Sequence, residues 1–239
     1  MRKFPVLLDY AAAIAPVIDA AHVNAHAAAH RAGLELAERA GVTIGLLNDL
    51  RFILPLRALT RRDLSALYRY RDAAGIEAGL REHLREGTLA EDGAGTLRLT
   101  RTGLSFVLAL YEVQGAGAER VWADHEPKRV LDLVTRVLDR AEPLPGGAFE
   151  LAVPPYEPDG APAELLLFNR LAALRYHRAD AHAAAWQIAG LSAAEIVTLP
   201  EGPLRTRIED DTNRRAAQPY LALSPEEREA LRDGLFALV

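Results

Sequence analysis

Cysteine is absent from the 239 residues, which excludes disulfides, thiolate metal sites, iron–sulfur clusters and cysteine nucleophiles. Any metal site must therefore be built from histidine and carboxylates. Lysine is nearly absent as well, with Lys3 and Lys128 the only examples, so arginine carries the positive charge. No charge-free apolar run reaches the roughly 18 residues that a membrane helix needs. Also missing are a P-loop, a Gly-x-Gly-x-x-Gly opening a helix, a Gly-x-Ser-x-Gly elbow and a His-Glu-x-x-His pair. The opening MRKFPVLLDYAAAIAPVIDA sets Arg2 and Lys3 before an apolar run, as a signal peptide does, but Asp9, Pro16 and Asp19 interrupt it. The expectation is a soluble cytoplasmic protein with no membrane partner.

Half of the residues are hydrophobic, enough for a substantial core in one large domain or two small ones. The apolar positions recur at helical spacing along most of the chain, so the predicted class is mainly α. A helix is expected from Val6 to Ala40, broken or bent at Pro16. Thr60 with Asp63 reads as a capping box, and Asp72 caps a helix that Gly87 stops. The stretch 88–99 has two short alternating segments around Asp92-Gly93-Ala94-Gly95, a hairpin signal. Thr100 caps a long helix to about Trp122, and another runs from Pro127 to Ala141. Residues 143–162 are rich in Pro and Gly and read as a linker, with a strand-like stretch at Ala148–Val153. The predicted organisation is 1–142 as N-terminal helices plus a compact middle, 143–162 as linker, and 163–239 as a helical C-terminal domain closed by Ser224-Pro225-Glu226-Glu227.

The order short helix, turn, helix, hairpin, long helix is that of a winged helix-turn-helix, in which the second helix is held against the major groove and the wing reaches the backbone. The run Leu80-Arg81-Glu82-His83-Leu84-Arg85-Glu86-Gly87-Thr88-Leu89, followed by Asp92-Gly93 and Leu97-Arg98-Leu99-Thr100-Arg101-Thr102-Gly103, resembles MarR-like winged helix-turn-helix regulators over about residues 43–122. The resemblance implies a DNA-binding transcriptional regulator with double-stranded DNA as partner. It also implies a homodimer paired through the long helices at 6–40 and 101–122, and a possible small-molecule effector.

Charge agrees with that placement. Between positions 51 and 101 there are ten arginines (51, 57, 61, 62, 69, 71, 81, 85, 98, 101) and seven acids (63, 72, 77, 82, 86, 91, 92), so the window is +3 while the chain is −5 and the remainder −8. Arg61, Arg62, Arg69, Arg71, Arg81, Arg85, Arg98 and Arg101 are the candidate phosphate contacts. The start of the second helix, Ala73-Ala74-Gly75-Ile76-Glu77-Ala78-Gly79, offers almost no donors to base edges.

A second reading starts from histidine. His22, His26 and His30 are four apart and share a helix face, but about 12 Å of rise separates the outer two, too far to ligate one ion. Arg175-Tyr176-His177-Arg178-Ala179-Asp180-Ala181-His182 is a second cluster. If the helices meet, His26 and His30 could join His177, Asp180 and His182 in a zinc or iron site or a small-acid pocket of a helical enzyme or metal- or cofactor-binding protein, with the winged helix as scaffold or interaction module. Under the regulator reading no cofactor is expected and no residue is catalytic.

Overall fold

The computed structural model describes residues 7–239; Val6 and the signal-like Arg2 and Lys3 lie outside the described residues. Helix α1, Leu7–Ala40, is continuous through Pro16. The expected break does not form: proline forfeits one backbone hydrogen bond, but Ile14, Val17 and Ile18 on both sides of it are buried in the core. Further along α1, Ala21, Ala25, Ala29 and Gly33 form a buried strip of small residues at four-residue spacing. Helix α5, Arg101–Trp122, packs along α1. At Gly117 the two backbones come so close that a Cβ would stand 2.9 Å from the Ala29 Cβ and 3.1 Å from its backbone nitrogen.

Between these helices the chain forms α2 (Leu47–Leu50), α3 (Arg61–Leu67) and α4 (Ala73–Arg85), then the strands β1 (Leu89–Glu91) and β2 (Leu97–Leu99). Thr60 and Asp63 make the reciprocal capping box of α3, and Asp72 accepts from the Gly75 amide at 2.8 Å to start α4. Gly87, with φ of +70°, ends that helix in a conformation glycine adopts freely. The antiparallel hairpin pairs Leu89 with Leu99. Its tip is held by Asp92, whose Oδ1 accepts from the amides of Ala94 (3.0 Å) and Thr96 (2.9 Å). Leu59, just before α3, bridges to Leu97 through backbone bonds of 3.0 and 2.7 Å and ties the hairpin to the entry of α3. The fully buried His83 fastens α4 from inside: its Nε2 accepts from the Leu46 amide at 3.1 Å, and its Nδ1 meets Thr88 Oγ1 at 3.1 Å.

The remainder is helical: α6 (Pro127–Arg140), α7 (Ala148–Ala152), α8 (Ala163–Ile188), α9 (Ala193–Thr198), α10 (Pro203–Ala217), a 3₁₀ turn at Gln218–Ala222 and α11 (Pro225–Ala237). The described residues are thus mainly helical with one small hairpin. The strand expected at Ala148–Val153 is instead helix α7. Its first amides, Ala148 and Phe149, donate to the Asp180 carboxylate at 3.0 and 2.8 Å, a cap supplied from α8 that no local pattern encodes.

Helix α8 runs through the centre and touches α1, α5, α6, α7 and α10. Leu165, Leu167, Phe168, Leu171, Ala172, Ala173 and Leu174 are all buried, so its first half is apolar nearly all round. One core joins α1, α5, α6 and α8 to Leu231 and Leu235 of α11. The core therefore runs across the 143–162 segment instead of stopping at it. A smaller cluster of Ala183, Ala185, Trp186, Ile196 and Ile208 packs the end of α8 with α9 and α10.

Candidate functional site

The ten arginines of the basic window divide sharply. Arg51 is buried with 1 % of its surface exposed. Arg57 donates to the carbonyls of Glu150 and Val153 at 3.1 and 3.3 Å. Arg61 pairs with Glu91 and Glu77, joining α3, the hairpin and α4. Arg71 pairs with Asp49 at 3.1 Å and lies over the Tyr68 ring, and Arg85 pairs with Glu82 one turn back on its own helix. Arg69 is the most enclosed of the paired ones: it bonds to Asp180, to the Ala179 carbonyl at 3.3 Å and to the Ala66 carbonyl at 2.9 Å. Arg62, Arg81, Arg98 and Arg101 are exposed, and among the described residues no carboxylate lies within ion-pair distance of them. Arg101, the first residue of α5, lines a groove with Leu36, Ala40 and Val42 at the end of α1. The exposed positions of α4 are Ala73, Ala74, Gly75, Ala78, Arg81 and Arg85, so its outer face is mostly small side chains.

The histidines go to separate places. His30 is exposed, and its ring lies 6.4 Å from that of His26. His26 is half-buried, with Nδ1 3.5 Å from Gln114 Nε2, and lines a pocket with His22 and Arg51. His177 and His182 line a different cavity, of about 350 Å³, between α1, α8 and α10. His177 packs edge-on against Phe149, and burial pushes it down to about 4. His182 Nδ1 lies 2.9 Å from the Tyr70 hydroxyl, which accepts from Trp186 Nε1 at 3.0 Å. Its Nε2 faces Glu209 at 3.8 Å. Asp180 is 3 % exposed and is committed to Arg69 and the start of α7. Gly147 faces it so closely that a Cβ there would collide with its carboxylate. Among the described residues no three His, Asp or Glu side chains come together in a way that could hold a metal ion.

Arg51 and His22 form a centre that residue spacing alone did not reveal. Arg51 follows α2, and its guanidinium lies over Phe52 at 4.1 Å, with Phe168 at 5.4 Å and Tyr111 at 5.9 Å. Cation–π contact in a desolvated site is worth about 2 kcal/mol, against a penalty of several kcal/mol for a buried ion, so the rings offset only part of the cost. One sequence signal does mark it: a lone arginine inside Leu46-Leu47-Asn48-Asp49-Leu50-Arg51-Phe52-Ile53-Leu54, a run whose other apolar residues are all buried.

No protein-family model matches the chain, and neither a curated protein nor a solved structure does. Among the described residues no helix is long and apolar enough to cross a membrane.

Proposed function

We propose that the chain is a cytoplasmic, DNA-binding transcriptional regulator of the winged helix-turn-helix, MarR-like type, acting as a homodimer on double-stranded DNA and responsive to a small ligand. The observation that carries this reading is the compact unit 59–122: two helices joined by a short turn, a hairpin tied to the first of them by the Leu59–Leu97 bridge, and a long following helix. Arg62 on α3, Arg81 on α4 and Arg98 on β2 give this unit cations free for phosphate. The outer face of α4 lacks side chains that pair with base edges, so phosphate contacts dominate and discrimination between sequences is weak. Leu34 on α1 and Leu104 and Leu108 on α5 are exposed apolar residues on the two helices assigned to the dimer interface. A shift assay with generic duplex DNA tests the reading. Binding is expected at about 50 mM salt and weakens steeply as salt rises; no shift at that salt contradicts it.

One observation favours a second reading, a helical enzyme or ligand-binding protein with the winged helix as scaffold. Tyr70 and His182, bonded to each other at 2.9 Å, and Glu209, 3.8 Å from His182 Nε2, together line the 350 Å³ cavity, an imidazole beside a carboxylate and a hydroxyl as a general base needs. In this reading Tyr70→Phe abolishes an activity while leaving the melting temperature within a few degrees; an inactive wild-type protein across hydrolytic and isomerase substrates counts against it.

A further inference from the structure

We infer that the cavity walled by the end of α6, α7, α8 and the end of α10 binds a free α-amino acid with an apolar side chain, its carboxylate on Arg140 and Arg215 and its ammonium on Glu142 and His177. The residues lining this cavity all lie between 140 and 219, outside α1 and the winged helix. The inference therefore goes beyond the DNA-binding reading and stands without it.

His177 comes first. It lines this cavity, of about 360 Å³, as well as the one between α1, α8 and α10, and it has no hydrogen-bond partner among the described residues. Neither of its ring nitrogens is sealed in the core: among the described residues the buried atoms that lack a partner belong to His22, Arg51, Gln114, Asn169 and Arg178. Burial of the ring pushes His177 down to about 4, so at neutral pH it offers one N–H and one bare nitrogen. A mostly enclosed imidazole is ordinarily bonded on at least one side. An ammonium in the cavity would supply the missing donor to the bare nitrogen.

Charge comes second. Arg140, at the end of α6, and Glu142, just beyond it, both line the cavity and are exposed. Neither has an ion-pair partner among the described residues, and they do not pair with each other. Arg215 spends its Nε on Asp211 at 2.8 Å, a carboxylate that it shares with Arg214, and its Nη nitrogens have no partner among the described residues. The other carboxylate on the wall, Asp180, is taken by Arg69 and the first amides of α7. Opposite charges thus stand open on one wall, which a molecule carrying both complements. A phosphate would instead set two negative charges beside Glu142. The apolar wall comes third. Leu144 lines the cavity and is 41 % exposed, apolar surface that a ligand side chain would cover, and charged groups beside such surface are the usual make-up of a small-molecule site.

Calorimetric titration of the full chain with L-leucine, L-methionine and L-phenylalanine tests this, beside N-acetyl-L-leucine, which lacks the ammonium, L-leucinamide, which lacks the carboxylate, and inorganic phosphate. At least one of the amino acids is expected to saturate, with a loss of about tenfold or more for each leucine derivative, since each removes a charge-assisted contact. Arg140→Gln and Glu142→Gln are each expected to weaken binding about tenfold for the same reason; both side chains are exposed, so these variants keep the wild-type melting temperature. His177→Gln is expected to weaken it severalfold. The inference is overturned if none of the amino acids saturates at about 10 mM, if either derivative binds as tightly as leucine, if phosphate is preferred, or if Arg140→Gln or Glu142→Gln leaves affinity unchanged. The titration contains no DNA, so its failure and a failure of the shift assay are read separately.

Discussion

The carboxylate at position 180 faces Arg69 on one side and the first amides of α7 on the other, so removing it strands a buried guanidinium and two N–H groups together. Asp180→Ala is expected to cost about 3–5 kcal/mol in urea unfolding, the range for breaking a buried pair from one side. The pair Arg69→Met with Asp180→Leu should cost less than the sum of its single changes, and simple additivity would show that the two residues do not act as a unit. His177 makes a prediction in pH. Its folded value near 4 lies below the ordinary 6.5, so between those values the unfolded chain takes up a proton that the folded chain refuses. The stability concerned is therefore complete above about pH 6.5 and is lost as pH falls toward 4. The shift corresponds to roughly 3 kcal/mol at about 1.4 kcal/mol per unit, and partial exposure brings the expectation nearer 2. His22, His26, His83 and His182 are also lowered by burial, so the contribution is read as a difference: His177→Gln should lose less melting temperature from pH 6.5 to 4 than the wild type does, and parallel curves would contradict the assignment.

At the scale of the element, close approach of α1 and α5 explains the alanine background of the histidine ladder. Ala25 and Ala29 are the buried wall, while His22, His26 and His30 flank it with exposure rising toward His30. Gly117→Ala pushes a methyl into the Ala29 backbone and is expected to destabilise by about 1–3 kcal/mol, the usual cost of overpacking. Gly33→Ala meets nothing nearer than Ile44 Cδ1 at 3.5 Å and should be neutral or gain up to about 1 kcal/mol from helix propensity; equal effects in denaturant unfolding would count against this packing. The same contrast explains what could be read from sequence. Thr60, Asp72, Thr100 and Ser224 each accept from an amide three residues on, so their helices were legible from short-range pattern. Helix α7 was not, because its cap comes from Asp180, far along the chain. A break at Pro16 was expected as one of two outcomes and does not form: the proline's local cost is real, but burial on either side outweighs it. For the sites, residue type was legible and partnership was not. The arginine-rich window was visible, yet its partners lie on other elements: Asp180 of α8 for Arg69, Asp49 of α2 for Arg71, Glu91 of the hairpin for Arg61, and the rings of Phe52, Tyr111 and Phe168 for Arg51.

For the whole molecule, one core joins both halves of the chain, and Arg69 bonds across it to α8. The turn between α3 and α4 is therefore anchored to α8, the central helix of that core. The surface charge is less than the arginine count implies, because Arg51, Arg57, Arg61, Arg69, Arg71 and Arg85 are engaged within the fold. Under the proposed function, the phosphate contacts fall to Arg62, Arg81 and Arg98. The most direct test is fluorescence anisotropy with a labelled generic duplex across about 50–200 mM salt, comparing wild type with Arg81→Ala/Arg98→Ala. The prediction is measurable binding whose log K falls linearly with log salt, with the slope reduced by about 1.8 in the double variant, near 0.9 for each phosphate that is no longer neutralised. No binding at the lowest salt, or identical slopes for the two proteins, would contradict the account.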